Sequence, residues 1–209
     1  MDNTGGMGFA ELLAQPGVFE EIELRSRFGF LAFHGGPVER VTTMIARMAA
    51  ERSGSSFYAI DQPEDRPLHI PSIRVDPAES PTLTRFYEHV DAVCTVHGYG
   101  RDKEKQWILL GGRNRELASL ARQELEDRLS QQFRVIDELE EIPKGLRGVH
   151  DRNPVNVARQ QGVQVELPPG VRWNWDARQW GDAEGLEPTA TIDAVVDALT
   201  AMATGWLAR

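Results

Sequence analysis

Short apolar runs alternate along this chain with segments whose apolar residues recur at helical spacing. That alternation constrains the fold more than any other feature. Strands separated by helical segments build a sheet with helices packed on its faces. The runs FEEIELRS (Phe19–Ser26), FLAFH (Phe30–His34) and FYAID (Phe57–Asp61) read as strands. So do DAVCTVHGYG from Asp91, QWILLGG from Gln106, FRVID (Phe133–Asp137) and GVQVELP from Gly162. Between them, Val38, Val41, Ile45, Met48 and Ala49 share one helical face, with Pro37 suited to the first turn. Ser80-Pro81 opens a helix or loop as far as His89, and LHIPSI is a short apolar segment. Asn114 can cap a helix carrying Leu117, Leu120, Ala121, Leu125 and Leu129. DRNPVN (Asp151–Asn156) reads as a loop. Thr189–Leu207 reads as a final amphipathic helix with Ile192, Val195, Val196 and Leu199 inward. The predicted architecture is one α/β domain over residues 1–209, a mixed central sheet flanked by helices, with residues 1–18 as a flexible N-terminal extension.

With 209 residues, of which 41% are apolar, the chain can bury a sizeable core. No apolar run approaches the ~20 residues that span a bilayer. The stretch MDNTGGMGFAELLAQPG lacks a basic segment ahead of a long apolar one, so no signal peptide is read there. A cytoplasmic protein without a membrane partner is expected, and release by lysis would leave no sequence mark. The lone cysteine, Cys94, excludes an internal disulfide and sits in an apolar run as a core residue. A net charge of −9 disfavours nucleic acid as a partner. Lysine is confined to Lys103, Lys105 and Lys144. The arginine bias reads as base composition, although arginine is the better residue for a forked grip on carboxylates. No oligomeric state follows from the sequence.

Several predicted strands end on residues that can bind metal or carry protons: FLAF at His34, AVCTV at His97 and GVQV at Glu166. Ligands of α/β sheets bind at such carboxyl ends. Beyond His34, Gly35 and Gly36 let the chain turn without a Cβ clash, and Glu39 follows, predicted on the first turn of the next helix. His34, Glu39 and His97 would supply two neutral imidazoles and a carboxylate, the donor set of a catalytic zinc that keeps one position open. Proton transfer then needs a carboxylate outside the ligand set, and Glu166 is the candidate. Taken singly, each residue has a plainer use. His34 could bond to backbone, Glu39 could complement a helix dipole, His97 could belong to a turn, and Glu166 could face solvent. The spacing H-x4-E lacks the specificity of H-E-x-x-H.

In this order, HGGPVE, LHI, VHGYG, ILLGG and NVARQQGVQVEL resemble the phage-type poly-γ-glutamate hydrolase family, itself similar to the zinc carboxypeptidases in fold and metal site. The resemblance runs from about Phe30 to Arg172. It implies a zinc carboxypeptidase-like fold and one zinc ion held by His34, Glu39 and His97, with Glu166 as general base. It implies hydrolysis of an amide, the γ-glutamyl linkage of a polyanionic or small-molecule substrate. Asn156 and Arg159 match the segment that would hold a substrate carboxylate, Arg159 through a bidentate grip. His69 matches a family histidine and reads as a substrate contact or a neighbour of the ligands. Arg113, Arg152 and Arg172 are weaker candidates for the carboxylate. Departures from the family pattern are Phe33 where many relatives have proline, Pro71 after LHI, and the missing second asparagine in NVARQQ. The segment VRWNWDARQW, with Trp173, Trp175 and Trp180, has no counterpart and reads as packing for the last helix. Net charge opposes a polyanion, so local cations would have to attract it, with salt-sensitive binding. Alternatives are an N-acyl amino acid amidohydrolase akin to the N-formylglutamate amidohydrolases, a non-catalytic phage or binding module that keeps the fold, and a metal-free α/β protein. The presence of all four proposed residues counts against the non-catalytic module.

Overall fold

A computed structural model describes residues 6–100 and 106–209, so Lys103 and Lys105 lie outside the described residues. In chain order the elements are α1 (Phe9–Leu13), β1 (Phe19–Glu23), β2 (Phe28–Ala32), α2 (Thr42–Ser53), β3 (Ser56–Asp61), α3 (Pro81–His89) and β4 (Ala92–Gly98). They continue with β5 (Trp107–Gly111), α4 (Arg115–Arg128), β6 (Arg134–Ile136), β7 (Gly162–Leu167) and the single turn α5 (Pro169–Arg172). A small ribbon of β8 (Trp173–Asn174) and β9 (Gln179–Trp180) precedes α6 (Ala190–Leu207).

The main sheet has the order β1-β3-β2-β4-β7-β5-β6. Strands β3, β2, β4 and β7 are parallel. Strand β1 and the β5–β6 pair run the opposite way. This is the mixed α/β sheet that the alternation of apolar runs predicts. From β2 the chain moves outward to β3, then returns to lay β4 on the other side of β2. Such a reversal opens a crevice at the carboxyl ends of the two strands it separates.

Strand alternation divides the core. Phe30, Ala32, Cys94, Val96, Val163 and Val165 face Ile45, Leu117, Val195 and Leu199 of α2, α4 and α6. Leu31, Tyr58, Ile60 and Val93 face the other way, against Phe9 and Leu12 of α1 and Leu83 and Phe86 of α3. Residues 9–13, inside the stretch read as a flexible extension, are therefore a packed helix with Phe9 and Leu12 buried. Cys94 is a buried free thiol, as its run predicts. Ser80, Asn114 and Thr189 cap α3, α4 and α6, each accepting a bond from the backbone N–H of the third residue on.

Helix α2 starts at Thr42, later than its apolar spacing predicts. The cause lies in the preceding turn. Gly36 is left-handed at φ 64°, and a Cβ on Gly35 would stand 2.3 Å from the Asp61 carboxylate. Pro37, Val38 and Glu39 consequently belong to the turn rather than the helix. Val41 closes it at φ 77°, rare for a β-branched residue, with its N–H donated to Asp182 Oδ2 at 2.7 Å. Among the described residues, no helix is long and apolar enough to cross a membrane.

Candidate metal centre

His34 stands just past β2, and His97 lies near the end of β4. The turn between β2 and α2 brings Glu39 back to them, and the Glu39 N–H donates to His34 O at 2.8 Å. His34 Nδ1 lies 2.8 Å from Glu39 Oε1. His97 Nδ1 lies 3.3 Å from His34 Nδ1 and 3.2 Å from Glu39 Oε2. Glu39 Oε2 also accepts the Gly98 N–H at 2.9 Å. Glu39 therefore faces His34 from a turn, not from the first turn of a helix.

The tautomer of His34 follows from its other nitrogen. Nε2 is 2.9 Å from the Ile70 carbonyl, which can only accept, so Nε2 carries the proton. In the neutral ring, Nδ1 then presents a lone pair to Glu39 and to His97 Nδ1. A cation placed among these atoms would be held by all three side chains. Ligands around a tetrahedral zinc with bonds of 2.0–2.1 Å sit about 3.4 Å apart, close to the 3.2 and 3.3 Å found here. Among the described residues this trio is the one group of metal-binding side chains whose donor atoms all lie within 4.8 Å of one another. The residues present fit the ion. His97 Nε2 is buried without a hydrogen-bond partner.

Burial alone would push the Glu39 carboxyl up, but the charges and bonds of His34 and His97 outweigh it and hold Glu39 well below the ordinary carboxylate range. Burial likewise disfavours a charged His34, yet the Glu39 carboxylate and the Ile70 carbonyl raise its pKa. Glu166 is directly opposite His97 in the β4–β7 register, so both side chains share one face of the sheet about 4.8 Å apart in the backbone. It is 4% exposed, and its Oε1 accepts Gln164 Nε2 at 2.8 Å. Burial, reinforced by the Glu39 charge, pushes Glu166 up to about 7. The site thus holds two carboxylates tuned in opposite directions, Glu39 kept ionised and Glu166 pushed toward protonation near neutrality.

These groups open into a cleft of about 520 Å³, also lined by His69, Lys144, His150, Asn153 and Gln164. The His69 ring centroid is 4.8 Å from that of His34. The arginines and Asn156 are placed otherwise than the resemblance implies. Arg159 pairs with Asp91 at 3.1 Å. Asp91 precedes β4, about 20 Å along the strand direction from His97, so Arg159 sits at the wrong end of the sheet for the cleft. Asn156 Nδ2 donates to Gly148 O and His150 O at 2.8 and 3.2 Å. Its Oδ1 accepts the Arg113 N–H at 3.1 Å. Arg113 Nε donates to Val149 O at 3.1 Å, and its guanidinium pairs with Asp151. Asn156 and Arg113 therefore hold the loop that lines the cleft and do not line it themselves. Arg152 is exposed and outside the lining, and Arg172 lies buried beneath it. Lys144 and His150 carry no pattern that singles them out in the sequence. Gln164 does: it stands two residues before Glu166 on a strand, hence on the same face.

A larger cleft, of about 920 Å³, is lined by Trp107, Trp173, Trp175 and Trp180 beside Thr189 and Thr191 at the start of α6, and contains none of the metal-binding side chains. Trp180 packs on the main core, while Trp175 is 72% exposed. The packing predicted for this segment holds for Trp180 and not for Trp175.

No curated protein sequence matches the chain. Among solved structures, a bacteriophage poly-γ-glutamate hydrolase superimposes with a TM-score of 0.77 at 20% identity, covering 92% of this chain and 90% of that one. A structure described as YNDL-apo (Zinc-free) gives 0.73 at 19% identity, covering 89% of each chain. A metallo-carboxypeptidase from Pseudomonas aeruginosa gives 0.50 at 16% identity, covering 92% of this chain and 65% of that one. The sheet with its flanking helices is thus a fold shared with these structures. The poly-γ-glutamate hydrolase family model matches residues 9–197, and the chain belongs to that enzyme family.

Proposed function

We propose that this protein is a zinc-dependent hydrolase of γ-glutamyl amide bonds, with one ion held by His34, Glu39 and His97 and with Glu166 as general base. The observation that carries the reading is the convergence of His34 Nδ1, His97 Nδ1 and the Glu39 carboxylate beside the buried Glu166. The family match and the zinc-free designation of one similar structure support it. When bound, zinc supplies a Lewis acid that polarises the scissile carbonyl and acidifies water.

The chain's own groups do the rest. Glu166 takes a proton from the attacking water and returns it to the departing amine nitrogen. A carboxyl raised to about 7 suits both halves of that exchange near neutral pH. The Gln164 amide fixes the orientation of the Glu166 carboxylate. The Gly98 N–H donates to Glu39 Oε2 and so keeps that carboxylate turned toward the ligand cluster. Apart from the ligands His34 and His97, the basic groups lining the cleft among the described residues are Lys144, His69 and His150, and they receive the α-carboxylate of a γ-linked glutamate.

Metal analysis of the purified protein, with assays on poly-γ-glutamate and on N-acyl amino acids with and without chelator, tests the reading. One zinc per chain and chelator-sensitive cleavage of the polymer are expected. Cleavage that persists in the zinc-stripped protein would sink the metal role. Turnover confined to small N-acyl amino acids would reassign the substrate.

A further inference from the structure

Arg172 is 5% exposed, and its guanidinium spends its hydrogen bonds on backbone carbonyls. Nε donates to Leu167 O at 3.2 Å, Nη1 to Arg40 O at 3.1 Å and Nη2 to Tyr99 O at 2.9 Å. Each carbonyl belongs to a segment that carries a site residue. Leu167 follows Glu166, Arg40 follows Glu39, and Tyr99 lies just past His97. We propose that Arg172 is a positioning residue, one planar guanidinium that sets the relative placement of Glu39, His97 and Glu166 by tying together the three segments that bear them. The proposal rests on the zinc-hydrolase reading above.

The segments have different origins: the turn before α2, the end of β4 and the end of β7. The sheet ladder joins β4 to β7 through Gly98 and Leu167, but the Glu39 turn lies outside that ladder. The Arg172 bond to Arg40 O anchors the turn from beneath, and the Asp182 bond to Val41 N–H pins its strained end. A guanidinium suits this task because its donors are fixed in one plane, whereas an ammonium is a point charge. Two features show that the space around it is built for the purpose. The ring of Trp180 lies 5.1 Å from its Cζ. A Cβ on Gly98 would come within 2.6 Å of that same carbon. Any side chain after His97 would therefore push the guanidinium out of this position. Glu39 and Glu166 act on the buried charge through space, without contact, so the cation also offsets the repulsion between two buried carboxylates.

Groups that orient metal ligands from outside the ligand set change metal affinity or activity by about 10–100-fold when removed. Zinc titration of the stripped protein against a chromogenic chelator, steady-state hydrolysis of poly-γ-glutamate and thermal unfolding would be compared for the parent, Arg172→Met, Arg172→Lys and Gly98→Ala. Folded Arg172→Met should bind zinc at least about tenfold more weakly and lose at least about tenfold in kcat, with KM within about twofold of the parent. Arg172→Lys keeps the charge but cannot span three carbonyls, so it should show the same losses even where Arg172→Met does not fold. Gly98→Ala, which displaces the guanidinium while leaving Arg172 in the chain, should reproduce them. Parental zinc affinity and kcat in folded Arg172→Lys or Arg172→Met overturn the proposal. A parent that binds no zinc at all overturns the zinc-hydrolase reading and this proposal with it.

Discussion

Glu166 is asked to be a base in a place that penalises its charge, and the two demands separate experimentally. Its folded pKa, about 7, lies above the ordinary 4.5. The folded state therefore binds the proton more tightly than the unfolded chain does. The stability that this contributes is present below pH 4.5 and is lost as pH rises through about 7. In the metal-free protein, Glu166→Gln removes a titrating charge and keeps the shape and the bond to Gln164. It should stabilise the stripped protein at pH 8 relative to the parent by on the order of 1–3 kcal/mol, and by much less at pH 5. Denaturant melts at the two pH values measure this, and equal effects at both would reject the assigned shift. The same substitution should cut turnover by about 10²–10⁴-fold with zinc still bound. His34→Ala should do the reverse, losing the metal outright. Metal content measured beside activity distinguishes a lost base from a lost ligand.

At the scale of elements, what could be read in the sequence depended on whether a local rule acted alone. Asn114, Ser80 and Thr189 cap their helices because a short polar side chain before a helical pattern has one good use. His34, His97 and Glu166 lie where strand ends predict, since strand termini follow apolar runs. Helix α2 is different. Its apolar period extends back to Val38, but Gly35 and Gly36 pack against β3 residues Ile60 and Asp61 and against Gln62, and that tertiary contact overrides the period. Arg159 was misplaced for a related reason: a sequence segment has no direction relative to the sheet until its partners are known, and Asp91 is one of them. The loop from Lys144 to His150 has no periodicity at all, and its shape is imposed from outside by Asn156 and Arg113. Asn156→Ala removes its Nδ2 bonds to two loop carbonyls, each such bond being worth about 1 kcal/mol. It should raise KM for the polymer by about three- to tenfold with kcat changed less, because the cleft wall moves while the ligands stay. Unchanged KM in steady-state assays would show that the loop holds its shape without it. Helix α1 is likewise invisible to a reading that discounts a short terminal segment, yet burying Phe9 and Leu12 stakes part of the second core on it. Phe9→Ala should cost about 3–5 kcal/mol in denaturant melts, whereas a loss under 1 kcal/mol would mean that α1 detaches freely.

The whole molecule carries a net charge of −9, yet its family acts on a polyanion, and the resolution has to be local. Over distances beyond about 8–10 Å, physiological salt screens the acidic surface, so the groups lining the cleft dominate once the substrate is close. Among the described residues, no arginine lines the cleft. Most arginines are paired with surface carboxylates, as Arg122 is with Asp137 and Glu126, and Arg172 is spent beneath the site. Lys144 is the one permanent cation among the described residues of the cleft lining, with His69 and His150 adding charge only when protonated. On the proposed reading, the acidic field slows the approach of polymer at low ionic strength while Lys144 attracts its α-carboxylate. Added salt weakens both, so the parent should show an activity maximum at intermediate salt. In Lys144→Ala the attraction is gone and the repulsion remains. Its KM should exceed the parent's by about tenfold at low salt, its activity should only rise as salt is added, and the two proteins should converge near 0.5 M salt, where the screening length is only a few ångströms. Steady-state assays across a salt series read this directly. Parallel salt profiles for the two proteins would remove Lys144 from substrate recognition and leave the polyanion to be drawn by groups outside this cleft.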